Sequence, residues 1–204
     1  MAKADSVASF VDLLIESEEK VLLYAWHHSV YEIYKQRLGK HNPGFYHGGI
    51  SVPARREAVE RFESGKSPLL IMSLRSGAGL DGLQYVPRAR SIVFGELDWS
   101  PGVMWQCIWR LARDGQADPV DAYMMVCDSG SDPIMAESLG LKASQIAGLM
   151  DPNKEEEDFD LTGKLEPSKI TLLAERYLKS RGITSAQTLP GLLGDDLDSL
   201  ALCL

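Results

Sequence analysis

A parallel α/β sheet covered by helices on both faces is the fold class this sequence predicts. Three observations carry it. Short continuous apolar runs recur, as at Val21-Leu22-Leu23-Tyr24-Ala25-Trp26 and Leu69-Leu70-Ile71-Met72. They lack the polar alternation of a strand with one wet face, so they read as strands buried on both sides. Between them lie stretches with apolar residues at helical spacing, and the two patterns alternate along the chain. Alternation of that kind requires crossover helices and a parallel sheet.

The elements follow in order. Ser6 to Glu16 places Val7, Phe10, Val11 and Leu14 at helical spacing. Val21 to Trp26 is the first buried strand. Val30 to Leu38 reads as a helix stopped by Gly39. Phe45-Tyr46 is a short strand ending at Gly48-Gly49. Ser51 is placed to cap the next helix, which has Pro53 in its first turn, Ala58, Val59 and Phe62 towards the core, and Gly65 at its end. Leu69 to Met72, Ser91 to Phe94 and Ala122 to Cys127 are further buried strands. Met104 to Ala112 is expected as a helix, and Asp132 to Leu149 as largely helical.

After Met150 the texture changes. Asp151 to Asp158 is an acidic run, read as a linker. Pro167 to Arg181 has a lone amphipathic pattern, and Thr184 to Leu204 is rich in leucine. The division expected is a folded domain over 1–150 and an acidic, mostly helical or disordered extension over 151–204.

Composition bounds the function. The 204 residues are 45% hydrophobic and 25% charged, as in globular chains, with a net charge of −8. A uniformly polycationic nucleic-acid binder is thereby excluded. The charge is uneven: residues 1–150 carry 15 basic and 18 acidic side chains, residues 151–204 carry 6 and 11. The main body can therefore present a basic face. Cys107, Cys127 and Cys203 are too few and too scattered for a disulfide framework or a zinc site. No run of 18 apolar residues and no secretory h-region is present. The chain reads as a cytoplasmic protein of a reducing compartment, without a membrane partner.

Two segments are candidates for chemistry. Gly65-Lys66-Ser67 mimics the end of a phosphate-binding P-loop. The full pattern needs a glycine at position 60, where Glu60 stands, and a helix after the lysine, where Pro68 leads into a strand. A plain turn is the better reading. Phe94-Gly95-Glu96 is the nearest approach to a magnesium-binding acidic pair, with one carboxylate. The second segment runs from Gln106 to Gln116. Arg110 and Arg113 lie three apart, which places both on one helical face. Two guanidinium groups so placed suit a transferring phosphate, being permanently charged and planar. The bland alternative is interaction with the helix dipole and solvent.

Taken whole, Gln106, Arg110, Arg113, Gly115 and Gln116 meet every fixed position of Gln-x-x-x-Arg-x-x-Arg-x-Gly-Gln. The segment resembles motif VI of superfamily 2 helicases in its Swi/Snf-like form. Ser73 to Gln84 resembles motif V, Asp98-Trp99-Ser100-Pro101 the element before motif VI, and Val21 to Trp26 motif IV. His47-Gly48-Gly49 with Arg55, Arg56 and Phe62 resembles the glycine-to-arginine helix of the same family. Five segments in order cover roughly residues 3–150. Departures occur at Leu74-Arg75-Ser76-Gly77, at Gly79-Leu80-Asp81-Gly82-Leu83 and at Ala112. They suggest a bacterial or phage-type branch.

The resemblance implies the second RecA-like lobe of a two-lobed, ATP-dependent translocase of double-stranded DNA, excised or split from its partner lobe. ATP and Mg2+ would be held mainly by a first lobe carrying the P-loop. Arg113 and Arg110 would be arginine fingers on the γ-phosphate, with Gln106 orienting their helix or contacting the phosphate side, and Gly79 and Asp81 shaping the cleft. An ordinary turn carboxylate is the alternative for Asp81. Ser73, Arg75, His47, Arg55 and Arg56 would contact the DNA backbone; for Ser73 the alternative is a helix cap, and beside His47 the glycines let backbone amides approach a phosphate. His27 and His28 read as a solvated loop, with a DNA-backbone contact as the alternative. Trp26, Trp99, Trp105 and Trp109 read as core or lobe-interface aromatics. The isolated chain is expected not to hydrolyse ATP, whereas the assembled protein is. A non-catalytic helicase-like module binding a protein or nucleic acid is the second reading.

Overall fold

The computed structural model describes residues 3–17, 19–76, 80–128, 130–136 and 139. It contains five parallel strands in the order β2-β3-β1-β4-β5. The strands are β1 (Lys20–Ala25), β2 (Gly44–Tyr46), β3 (Leu69–Ser73), β4 (Ala89–Phe94) and β5 (Asp121–Met124). The helices are α1 (Ala4–Glu16), α2 (His28–Arg37), α3 (Val52–Glu63) and α4 (Pro101–Ile108).

Alternate residues of the central strand feed two cores. Leu22 and Tyr24 face a cluster with Ala58, Phe62, Met104 and Cys107, from α3 and α4. Val21, Leu23 and Ala25 face a second cluster with Val7, Val11, Leu14 and Tyr34, from α1 and α2. Helices therefore cover both faces, as the unbroken apolar runs require. All of β1 and β3 is buried.

Local signals explain the boundaries that match. Ser51 Oγ accepts the Ala54 amide at 3.4 Å and caps α3, with Pro53 in the first turn. Past its end, Gly65 takes φ +77°, the left-handed stop that glycine favours. Gly65-Lys66-Ser67 is a turn between α3 and β3; buried Ser67 donates from Oγ to the Leu69 carbonyl at 2.9 Å.

Three expectations need correction. The helix expected over Met104 to Ala112 runs from Pro101 to Ile108 instead. Proline stabilises the first turn, and beyond Ile108 the chain tightens: Arg110 donates to the Cys107 carbonyl and Leu111 to that of Ile108, both three residues back. Arg110 and Arg113 thus follow the helix in successive turns and do not share one of its faces. The last strand ends at Met124, not Cys127, and is half-buried, because it is an edge with only β4 beside it. Of the helix expected over Asp132 to Leu149, residues 132–136 and 139 are helical. The remainder, and every expectation for 151–204, lies outside the described residues.

The chain enters at the middle of the sheet, fills β2 and β3 on one side, then crosses to β4 and β5 on the other. Strand order therefore reverses at β1, and a crevice opens at the carboxyl ends of β1, β3 and β4, where α/β sheets take their ligands.

Candidate functional site

Two polar regions emerge from this frame. The first joins the turns after α4 to the segment before Leu83. Arg110 Nη1 donates to the Leu80 carbonyl at 2.9 Å, and Arg113 Nη1 pairs with the Asp81 carboxylate. Two segments thirty residues apart in sequence are thereby held together through their arginines. Arg113 remains 43% exposed in its side chain and Asp81 68%, so the pair sits at the surface.

Two further residues shape this loop. Gln116 Nε2 donates to the Ala89 carbonyl at 3.1 Å, fastening the loop to the start of β4. Gly115 adopts φ +92°, and a Cβ there would lie 2.5 Å from Tyr85 Cε1, so both backbone and space call for glycine. Gln106 is exposed on α4. Gly79 lies outside the described residues.

The second region is the crevice. His47 and Ser73, each 9% exposed, line one cleft with Arg75 and Ser76. Ser73 closes β3, and Ser76 Oγ bridges the Tyr46 and Ser73 carbonyls at 2.9 and 3.0 Å. In the described residues Ser73 thus ends a strand and caps no helix. The Arg55 guanidinium lies 5.7 Å over the Tyr46 ring, and its buried Nε has no hydrogen-bond partner among the described residues. Arg56 is exposed on α3.

Arg75 is engaged on two sides. It makes a two-pronged bond to Asp98, Nε to Oδ2 at 2.9 Å and Nη2 to Oδ1 at 3.2 Å, and stacks 5.6 Å over Trp26. Burial works against the Asp98 charge, but Arg75 and the Ser100 amide outweigh it and hold the carboxyl below the usual range. The sign follows. A depressed carboxyl contributes stability above its unfolded pKa and loses it as pH falls through the lower folded value. Arg75→Ala is therefore expected to destabilise the fold at about pH 7, where it strands a buried carboxylate, and to cost less at an acid pH below the lowered folded value of Asp98. Urea unfolding at the two pH values checks this; an equal loss at both would show that Arg75 acts through packing.

Sequence reasoning weighed Glu96 only as a lone magnesium carboxylate and Asp98 only as part of the element before motif VI, and gave neither a partner. Glu96 Oε2 accepts the Trp26 and His27 amides at 2.6 and 2.9 Å, while Oε1 bonds His27 Nδ1 at 2.5 Å. It locks the exit of β1 and gives His27 a partner. The signal was present, since both acids follow β4 directly, where strand ends meet the crevice. Trp26, Trp99 and Trp109 are about half exposed, at 48%, 50% and 55%, so they are surface aromatics and not core. Trp105 stands 6.0 Å from Trp109.

Among the described residues no group of three His, Cys, Asp or Glu is arranged to hold a metal ion. The loop arginines offer fixed cationic donors that fit a phosphate, whereas among the described residues no cluster of three carboxylates or imidazoles stands beside them for magnesium.

A five-stranded parallel sheet, helices on both faces and a polar crevice where strand order reverses define a RecA-like lobe. The chain belongs to the helicase conserved C-terminal domain family, which matches residues 3–115. It is 28% identical over 144 residues to a DNA repair and recombination protein RAD54-like from Drosophila yakuba, covering 70% of this chain and 18% of that protein. It is 32% identical over 160 residues to a SWI/SNF-related matrix-associated actin-dependent regulator of chromatin subfamily A-like protein 1 from Xenopus tropicalis, covering 74% and 16%. The crystal structure of the C-terminal part of the Fun30 ATPase domain superposes with a TM-score of 0.56 at 18% identity, covering 87% of this chain and 53% of that one. The chain thus spans less than a fifth of the length of these curated relatives. The relatives are of Swi/Snf type and eukaryotic, and they give no support to the bacterial or phage-type branch that the motif departures suggested.

Proposed function

We propose that the chain is the second motor lobe of an ATP-dependent translocase of double-stranded DNA. In this reading it meets a P-loop lobe, in the same parent chain or a separate subunit, which holds most of the ATP and Mg2+. Bound there, the nucleotide supplies the phosphoryl group whose hydrolysis drives motion. This chain contributes cations to that phosphate and backbone contacts to DNA.

The observation that supports the reading most directly is the placement of Arg110 and Arg113. Both belong to the motif VI-like segment, both reach across to Leu80 and Asp81, and Arg113 stays at the surface. A guanidinium in a surface ion pair is held in position at small cost and can exchange its partner for a phosphate. Lobe closure would bring that phosphate within reach, so hydrolysis depends on domain motion. Gln106, exposed on α4, and Gly79 are assigned to the same cleft.

The DNA surface in this reading is the crevice: His47, Ser73, Arg75, Arg55 and Arg56. Contacts of this kind go to phosphates, which fix position without reading bases. A protein that steps along any sequence needs no more.

The test is titration of the full chain with mixed-sequence and repetitive DNA duplexes at several salt concentrations. Binding should ignore sequence, and log K should fall linearly with log salt, by about 0.9 for each phosphate neutralised. Sequence-specific or salt-insensitive binding would overturn the translocase reading in favour of a non-catalytic module. The isolated chain should turn over no ATP with or without DNA.

A further inference from the structure

The crevice holds an arrangement that a phosphate contact alone does not explain. His47 follows β2 and His28 opens α2, with ring centroids 5.6 Å apart, edge to face. His47 also lies flat on Tyr31, 4.6 Å away with the planes 5° apart. The Gly49 amide donates to His47 Nδ1 at 3.2 Å. That bond makes Nδ1 the acceptor, so the neutral ring carries its proton on Nε2. A Cβ on Gly49 would stand 3.2 Å from the His47 ring and 3.4 Å from that of His28, so glycine lets the backbone close over both.

The charges around His47 are nearly all of one sign. His28 comes from α2, Arg55 from α3, and Arg75 from beyond β3. Tyr31 is pushed up to about 12, by burial first, and stays protonated. Among the described residues no carboxylate lines the cleft; Glu96 and Asp98 line an adjoining cleft that shares Trp26, His27 and Arg75 with it, and there they pair with His27 and Arg75. Burial first, then His28 and Arg55, hold His47 below its usual value. Free His47 is therefore mostly neutral near neutral pH. An anion in the cleft reverses the Coulomb part of that balance, because it is attracted to each cation and to imidazolium.

We propose that His28 and His47, beside Arg55, form a proton-linked phosphate subsite in which binding of a DNA backbone phosphate brings a proton onto the His47 imidazole. The inference rests on the crevice being the DNA surface, and adds to it His28 as a participant and pH as a control. The proton comes from solvent and goes to Nδ1. Taking it up releases the Gly49 amide, while Nε2–H remains a donor for the phosphate. Affinity then rises as pH falls through the bound-state value and levels off below the free-state value, which is itself lowered.

The experiment is calorimetric titration of the full chain with one mixed-sequence DNA duplex. It is run from about pH 8 to about pH 5.5, in buffers of different ionisation enthalpy. Linkage of one proton sets the limit at about tenfold in affinity per pH unit. Proton uptake approaching one per site is expected. His47→Gln keeps an amide donor and should flatten the pH dependence. His28→Gln, at an exposed position, removes a neighbouring charge and should move the uptake midpoint to higher pH. This second variant tests the coupling even if His47→Gln folds poorly. Salt-dependent binding without uptake, or an unshifted midpoint in His28→Gln, overturns the inference and leaves the DNA surface standing. Absence of duplex binding at every pH and low salt overturns the DNA reading itself, and the inference with it.

Discussion

In a two-lobed protein that joins this chain to a P-loop lobe, Arg113→Ala is expected to lower ATP turnover by about three to five orders of magnitude, the usual worth of an arginine finger. That corresponds to roughly 4–7 kcal/mol of transition-state stabilisation. No effect on the fold competes with it. Arg113 and Asp81 are both largely exposed, and a surface ion pair contributes about 0–1 kcal/mol, less in salt. Single-turnover hydrolysis with a parallel urea titration separates the two effects. A well-folded variant with near-normal turnover would remove Arg113 from the nucleotide site. Arg110→Ala should also reduce turnover, but with a structural share, because Arg110 holds the Leu80 carbonyl.

Gly95→Ala is expected to give the largest loss of stability among the substitutions considered. Gly95 follows β4, and its amide donates to the Tyr24 carbonyl at 2.9 Å. A Cβ there would meet Tyr34 Oη well inside 3.0 Å, with the Tyr24 carbonyl oxygen at 3.3 Å on another side. Tyr34 is fully buried, so its ring has nowhere to retreat. Overpacking of this kind costs about 1–3 kcal/mol. Among the described residues the hydroxyl in the way has no hydrogen-bond partner. Tyr34→Phe alone should therefore be nearly neutral, since it removes a buried unsatisfied group. Combined with Gly95→Ala it should restore most of the loss, a coupling of about 1–3 kcal/mol in a double-mutant cycle. Additive effects would place the cost of Gly95→Ala elsewhere.

Some of this molecule could be read from neighbouring residues. β1 and β3 are unbroken apolar runs, and only a strand flanked by strands and covered on both faces tolerates that pattern. Ser51, Pro53 and Gly65 bound α3 by local chemistry, and the structure keeps all three roles. Other features failed for want of local information. Spacing placed Arg110 and Arg113 on one helical face, yet α4 ends at Ile108. The apolar run at β5 looked like a buried strand, yet the sheet ends there.

The sites divide along the same line. The sequence by itself determined the alternation of strands and helices, the caps, and the motif residues whose order marks the family. Each of these depends on contacts a few residues apart. Only the tertiary structure decided what the polar side chains do. Arg75 meets Asp98 across 23 positions, His27 meets Glu96 across 69, and Arg113 meets Asp81 across 32. It also set His47 flat on Tyr31 and edge-on to His28, at the carboxyl ends of β2 and β1, the two strands that flank β3. The physical reason is range. Backbone propensity and apolar period act over one or two turns of chain, whereas ion pairing and proton affinity depend on which distant segments the sheet order brings within a few ångströms.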